Sequence, residues 1–158
     1  MAISSVNQNA VETVRQILGE GIPLCQCMGV ELVACDHRSI RLRAPYEKNR
    51  NHKGAAFGGS LEALSVVTGW ALLELQLRAR HFPGESVIYR AESRFLRPVT
   101  ADLESYCVVA EAFSWDRYFE ELDNRGRARL DLDVVIQQNG KNAMEFTGAY
   151  MAIERTGD

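Results

Sequence analysis

Residues 61–77, LEALSVVTGWALLELQL, are apolar around nearly the whole circumference of a helix, and no other feature narrows the fold as sharply. A helix of this kind is buried on most of its surface, so the rest of the chain has to wrap it. Within residues 55–77 the polar Ser60, Glu62, Ser65, Thr68, Glu74 and Gln76 make the segment too polar to span lipid. The wrapper follows Pro83 and Gly84, which end the helix. Strand-like runs cover residues 87–99, 103–113, 128–138 and 144–153. The third is clearest: Ala128, Leu130, Leu132, Val134 and Ile136 alternate with Arg127, Arg129, Asp131 and Asp133. Asn139 and Gly140 then tolerate the positive φ of a hairpin turn.

Ahead of the apolar helix, Asn9 and Glu12 read as a capping pair for a helix whose stripe is Val11, Val14, Ile17 and Leu18. Gly19, Gly21 and Pro23 end it. Residues 30–44 turn to period two, with Ile40, Leu42 and Ala44 on one side and Arg41 and Arg43 on the other, as two strands meeting near residues 36–38. A polar loop, residues 45–59, leads into the apolar helix. Residues 114–126 read as a surface excursion with room for a short helix. The expected architecture is one α+β domain over residues 1–158: an antiparallel sheet of about six strands around a central helix, the last four strands running as a meander.

Composition excludes several functions. A formal net charge of -3 gives no basic excess for a phosphate backbone, so nucleic acid is not an expected partner. The first residues lack a positive region followed by an apolar run, so a cytoplasmic location is the expectation, with no membrane partner. Of the four cysteines, Cys25 and Cys27 sit as C-x-C, Cys35 follows, and Cys107 stands apart. With three scattered histidines they make no ligand set, so reduced thiols are expected, with no metal and no cofactor.

The chemistry concentrates in residues 49–61, NRNHKGAAFGGSL. Paired glycines at a helix start let a ligand approach the backbone, and free N–H groups there face developing negative charge, as an oxyanion hole does. Asn51 carries an amide able to donate to the same oxygen, although a loop asparagine ordinarily caps a turn. His52 reads as solvated, and Ser60 lacks the frame of a nucleophile. Trp70 and Thr68 read as packing residues of a buried helix, with Thr68 and Ser65 also available as secondary polar groups. Arg90, Arg94, Arg97, Arg125, Arg127 and Arg129 form a basic strand face, which is ordinarily solvated.

Asn51, Gly54, Phe57, Gly58 and Gly59 resemble the N-x-x-G-x-x-H-G-G signature of hotdog-fold acyl-coenzyme A and acyl-carrier-protein thioesterases. Residues 95–99, FLRPV, are similar to that family's strand ending in a Pro-Val turn. The combination of N-x-N, A-F-G-G-S-L and T-G-W resembles the branch labelled putative thioesterase, found after an acetyltransferase-like domain, some of whose members are malonyl-acyl-carrier-protein decarboxylases of the Mad type. The resemblance implies a hotdog fold and a homodimer with sheets joined edge to edge. It implies an acyl-carrier-protein or coenzyme A thioester as substrate. Asn51, Gly59 and Thr68 are the implied catalytic groups, with Asn49, Phe57, Gly58, Ser60 and Ser65 against the substrate.

Two departures bear on the reaction. Phe57 stands where the family has its histidine, and Val66 where a carboxylate usually stands, while Glu62 reads as a partner of the helix dipole. Hydrolysis then lacks its usual means of activating water. Decarboxylation of a malonyl thioester needs only an oriented carboxylate and a held enolate oxygen. The expected activity is therefore malonyl-thioester decarboxylation, giving the acetyl thioester that primes fatty-acid synthesis. The alternatives are an acyl thioesterase and a non-catalytic acyl-binding subunit.

Overall fold

The computed structural model describes residues 7–155. The first six residues, in which no secretory signal is expected, lie outside the described residues. Asn7, rather than the expected Asn9–Glu12 pair, caps the first helix: its side chain accepts from the N–H groups of Asn9 at 3.0 Å and Ala10 at 3.2 Å. Helix α1 (Gln8–Gln16) runs on through a π-helical turn (Ile17–Gly21) and ends at Gly21, within the expected Gly19–Gly21–Pro23 stop. Pro23 then opens α2 (Pro23–Met28), where its missing N–H costs nothing.

Strands β1 (Glu31–Cys35) and β2 (Ser39–Ala44) pair antiparallel around residues 36–38, as expected, and Ile40, Leu42 and Ala44 are buried. The polar loop holds a short helix, α3 (Tyr46–Asn49). Helix α4 (Gly58–Ala79) has twelve buried residues distributed round its axis and packs against β2 as well as the later strands. It meets β3 (Gly84–Phe95), β4 (Leu103–Val108), β5 (Arg127–Gln138) and β6 (Lys141–Glu154).

The sheet order is β1-β2-β4-β5-β6-β3, antiparallel throughout. The expected meander therefore holds for β4-β5-β6 only. β3 crosses to the far edge and pairs with β6 from Gly84↔Glu154 to Phe95↔Met144, while β4 pairs with β2. The twelve residues of β3 run along most of fourteen-residue β6, and the six of β4 along the six of β2, so strand order is set by these long-range partners and not by succession in the chain. Asn139 and Gly140 have φ of 53° and 70°, the hairpin turn expected.

β4 stops at Val108, short of the expected Phe113. The Arg38 guanidinium gathers the chain there, donating to the carbonyls of Ala110 at 2.6 Å and Phe113 at 3.4 Å. Ser114 then caps α5 (Trp115–Arg125), whose Trp115, Tyr118, Phe119 and Leu122 form a buried stripe at helical spacing. On the outer face of the sheet, charges pair with each other, as in half-buried Arg41–Glu104 at 2.9 Å and Arg94–Glu145 at 3.2 Å. That leaves the inner face, α4 and the outer edge of β3 to build a site.

Candidate active site

Residue identity explains the local path. Arg50 and Ala56 form an isolated antiparallel bridge, so residues 50–56 make a small hairpin, and the N–H of Ala56 donates to Val99 O at 2.7 Å. Asn51 Oδ1 accepts from the N–H groups of Lys53 at 2.7 Å and Ala55 at 3.2 Å. The asparagine does cap a turn, and doing so fixes its amide. Among the described residues its Nδ2 has no partner, so the donor end is the free end.

The N–H of Phe57 donates to Asn49 O at 2.7 Å, joining this hairpin to the start of α4. No side chain caps that start. Ser60 and Leu61 N–H groups turn back to Phe57 O, whereas Gly58 and Gly59 supply the N–H groups for which an α-helix has no internal acceptor. The Phe57 ring lies over Gly59 so closely that a side chain there would overlap it, and a Cβ on Gly58 would sit 3.7 Å from the Phe95 ring. Both rings are more than half exposed, at 57% and 56%. An uncapped helix end between two open phenyl rings is polar at its floor and apolar at its walls.

The other expected residues lie elsewhere. Asn49 is enclosed, its Nδ2 donating to Met28 O and Pro45 O, each at 2.8 Å, which ties α2 to the loop, while its Oδ1 is buried without a partner among the described residues. Ser65 and Thr68 have no exposed surface in this chain: Ser65 Oγ donates to Leu61 O at 2.9 Å, and Thr68 Oγ1 to Leu64 O at 2.6 Å beside Ser105. Ser60 is half-buried in the first turn of α4. Exposed His52 lies in the hairpin tip.

Two features escaped the sequence. Tyr150 on β6 donates its hydroxyl to Val66 O at 2.7 Å, and Gly69 is the gap that admits it, since a Cβ there would overlap the hydroxyl. Burial drives that phenol well above the ordinary tyrosine range. Glu62, read as a partner of the helix dipole, also accepts a hydrogen bond from Ser93 Oγ on β3. The alternation of β3 could have signalled it, since Ser93 lies two residues before Phe95 on the same strand face.

Residues 11–154 match the family described as putative thioesterase (yiiD_Cterm). The chain belongs to that family. Its fold recurs in a protein of unknown function from Chlorobaculum tepidum TLS, 24% identical over 98% of this chain and 100% of that one, with a TM-score of 0.87. A putative thioesterase from Shewanella oneidensis is also 24% identical, over 93% and 99%, at TM-score 0.81. A protein from Pseudomonas aeruginosa described as a probable thioesterase is 23% identical over 92% and 96%, at 0.78. As a member of this thioesterase-like family the chain has the hotdog fold, with one long helix against a six-stranded antiparallel sheet. Among the described residues no helix is long and apolar enough to cross a membrane, and no three His, Cys, Asp or Glu side chains are grouped to hold a metal ion.

Proposed function

We propose that this chain acts on acyl thioesters carried by coenzyme A or an acyl-carrier protein, and that its reaction is decarboxylation of a malonyl thioester to the acetyl thioester that primes fatty-acid synthesis. The observation that carries the reading is the uncapped start of α4, where Gly58 and Gly59 N–H groups and the Asn51 amide have no acceptor among the described residues. Loss of carbon dioxide leaves an electron pair that moves onto the thioester oxygen as an enolate. The Gly59 N–H and Asn51 Nδ2 stabilise that oxygen, with Phe57 and Ser60 against the rest of the substrate. Val66 and Phe57 stand where a carboxylate and an imidazole would activate water, and this favours loss of carbon dioxide over hydrolysis. The family match favours the second reading, thioester hydrolysis.

The functional unit in this reading is a cytoplasmic homodimer joined through β3. That strand is one of the sheet's two edges, β1 being the other, and carries exposed Val87, Tyr89 and Phe95. A monomeric mass at micromolar concentration, with activity intact, counts against the shared site. The reaction is tested by giving purified protein a malonyl thioester and measuring carbon dioxide and free thiol in parallel. Carbon dioxide as the main product is expected; thiol alone selects the thioesterase, and neither product selects an acyl-binding subunit.

A further inference from the structure

Asn49 precedes Asn51 by two residues in the same loop, yet it is enclosed, with 2% of its surface exposed. Its Nδ2 gives both protons to main-chain oxygens, Met28 O at the end of α2 and Pro45 O at the start of α3, each at 2.8 Å. Met28 O is one of the last carbonyls of its helix, which find no acceptor-filling N–H within it. Gly29 follows at φ 71°, and a Cβ there would lie 3.0 Å from the Pro45 ring, so α2 and Pro45 are packed together where the amide joins them. The carbonyl of Asn49 in turn accepts from the N–H of Phe57 at 2.7 Å, and Phe57 is the residue from which α4 starts, directly before Gly58 and Gly59. Because Asn49 Oδ1 is buried without a partner among the described residues, the two donor bonds are what this side chain contributes.

We infer that Asn49 is a positioning residue of this site: its amide anchors the carbonyl that holds Phe57, and through Phe57 it sets where the Gly58 and Gly59 N–H groups point. The effect on rate rests on the thioester reading above. Asn49 itself touches no reacting atom. Every contact in the chain is direct, from the amide to α2 and α3, from the Asn49 carbonyl to Phe57, and from Phe57 along the backbone to the glycines. Losing the two amide bonds frees the end of α3, and Asn49 O moves with it. A misplacement of about 1 Å costs on the order of 100-fold in rate. Asn51 lies two residues further along the same loop, so the second donor of the proposed oxyanion hole shifts with the first.

The test is Asn49→Asp, which keeps the shape of the side chain and removes both donors. With malonyl-coenzyme A its kcat per folded molecule should fall roughly 100-fold while KM stays near wild type, because the displaced donors act on the transition state. Adding Asn51→Asp should then cost less than it does in wild type, whereas a defect of fold alone leaves the two losses additive. Independently of any reaction, the Phe57 amide should exchange its hydrogen with solvent about 10-fold faster in Asn49→Asp by NMR, with the amide of Tyr150 in β6 unchanged. Wild-type kcat, or an unchanged Phe57 exchange rate, in folded Asn49→Asp overturns the inference. If Asn49→Asp does not fold, Phe57→Pro and Phe57→Ala decide. Both lose the ring, φ of -66° at Phe57 suits proline, and only proline lacks the N–H that reaches Asn49 O. Phe57→Pro should be roughly 10-fold slower than Phe57→Ala, and equal rates overturn the inference. A wild type that turns over no malonyl thioester overturns the thioester reading, while faster Phe57 exchange in Asn49→Asp still upholds the positioning.

Discussion

The two ends of α4 use the same contact to different ends. At the C-terminal end Glu74 is buried, accepts from Ser86 at 2.8 Å and pairs with Arg78 within one helical turn. At the N-terminal end Glu62 has its serine but no cation among the described residues, beside an uncapped helix start and two open phenyl rings. At the C-terminal end both carboxylate partners hold helix to sheet, although Arg78 Nε stays unpartnered. At the N-terminal end the unpartnered donors and the half-buried carboxylate are open to solvent or a ligand. Under the proposed function, one end serves stability and the other chemistry.

The largest expected effect tests the chemical end. Asn51→Asp keeps the oxygen that caps the hairpin and removes the amide donor, so the loop should hold while activity falls. The loss should be roughly 100- to 1,000-fold, the scale for one oxyanion-hole donor. Asn51→Ala should lose as much activity and also about 1 kcal/mol of stability, because it removes a capping acceptor as well. Rates with a malonyl thioester and thermal melts of both variants check this. Full activity in Asn51→Asp would remove the asparagine from the chemistry and leave it only its turn.

A smaller effect is expected at the structural end. Glu74→Ala strips Arg78 of its partner, and Arg78 Nε is already buried without one. Breaking a buried pair costs about 3–5 kcal/mol, and the 39% exposure of the Arg78 side chain lets it turn to water, so about 2 kcal/mol is expected. The activity of the folded fraction should match wild type. Denaturant unfolding gives the first quantity and rates normalised to folded protein the second. A Glu74 variant that is stable but inactive would reverse the assignment of the two ends.

What the sequence made legible follows from periodicity. The all-round apolar helix, the alternation of residues 128–136 and the Asn139–Gly140 turn are local patterns, and each is found where expected. The place of β3 at the far edge was not legible, because strand order depends on pairing partners far apart in sequence, such as Gly84 with Glu154. Helix α5 falls in the segment read as an excursion with room for a short helix, and the helical spacing of Trp115, Tyr118, Phe119 and Leu122 explains why it packs as one. At the site, the glycines and Asn51 were visible as a motif. Ser65, Thr68 and Asn49 were visible only as polar residues near it, and polarity does not tell a ligand contact from a hydroxyl returned to its own helix or an amide tying two loops.

The smallest expected effects give the finest test, a pair of double-mutant cycles on stability: Glu74→Ala with Ser86→Ala, and Glu62→Ala with Ser93→Ala. Hydrogen bonds to a charged, buried group are worth about 1.5–3 kcal/mol, so the Glu74–Ser86 coupling should fall near the low end of that range. The half-buried Glu62–Ser93 pair competes with water, and its coupling should be about 0.5 kcal/mol despite the short contact. In the rate with a malonyl thioester the order should invert, with coupling between Glu62 and Ser93, at the site's end of α4, and none between Glu74 and Ser86. Coupling of similar size at both ends in stability, with none in activity at either, would mean that both pairs merely fasten α4 to β3.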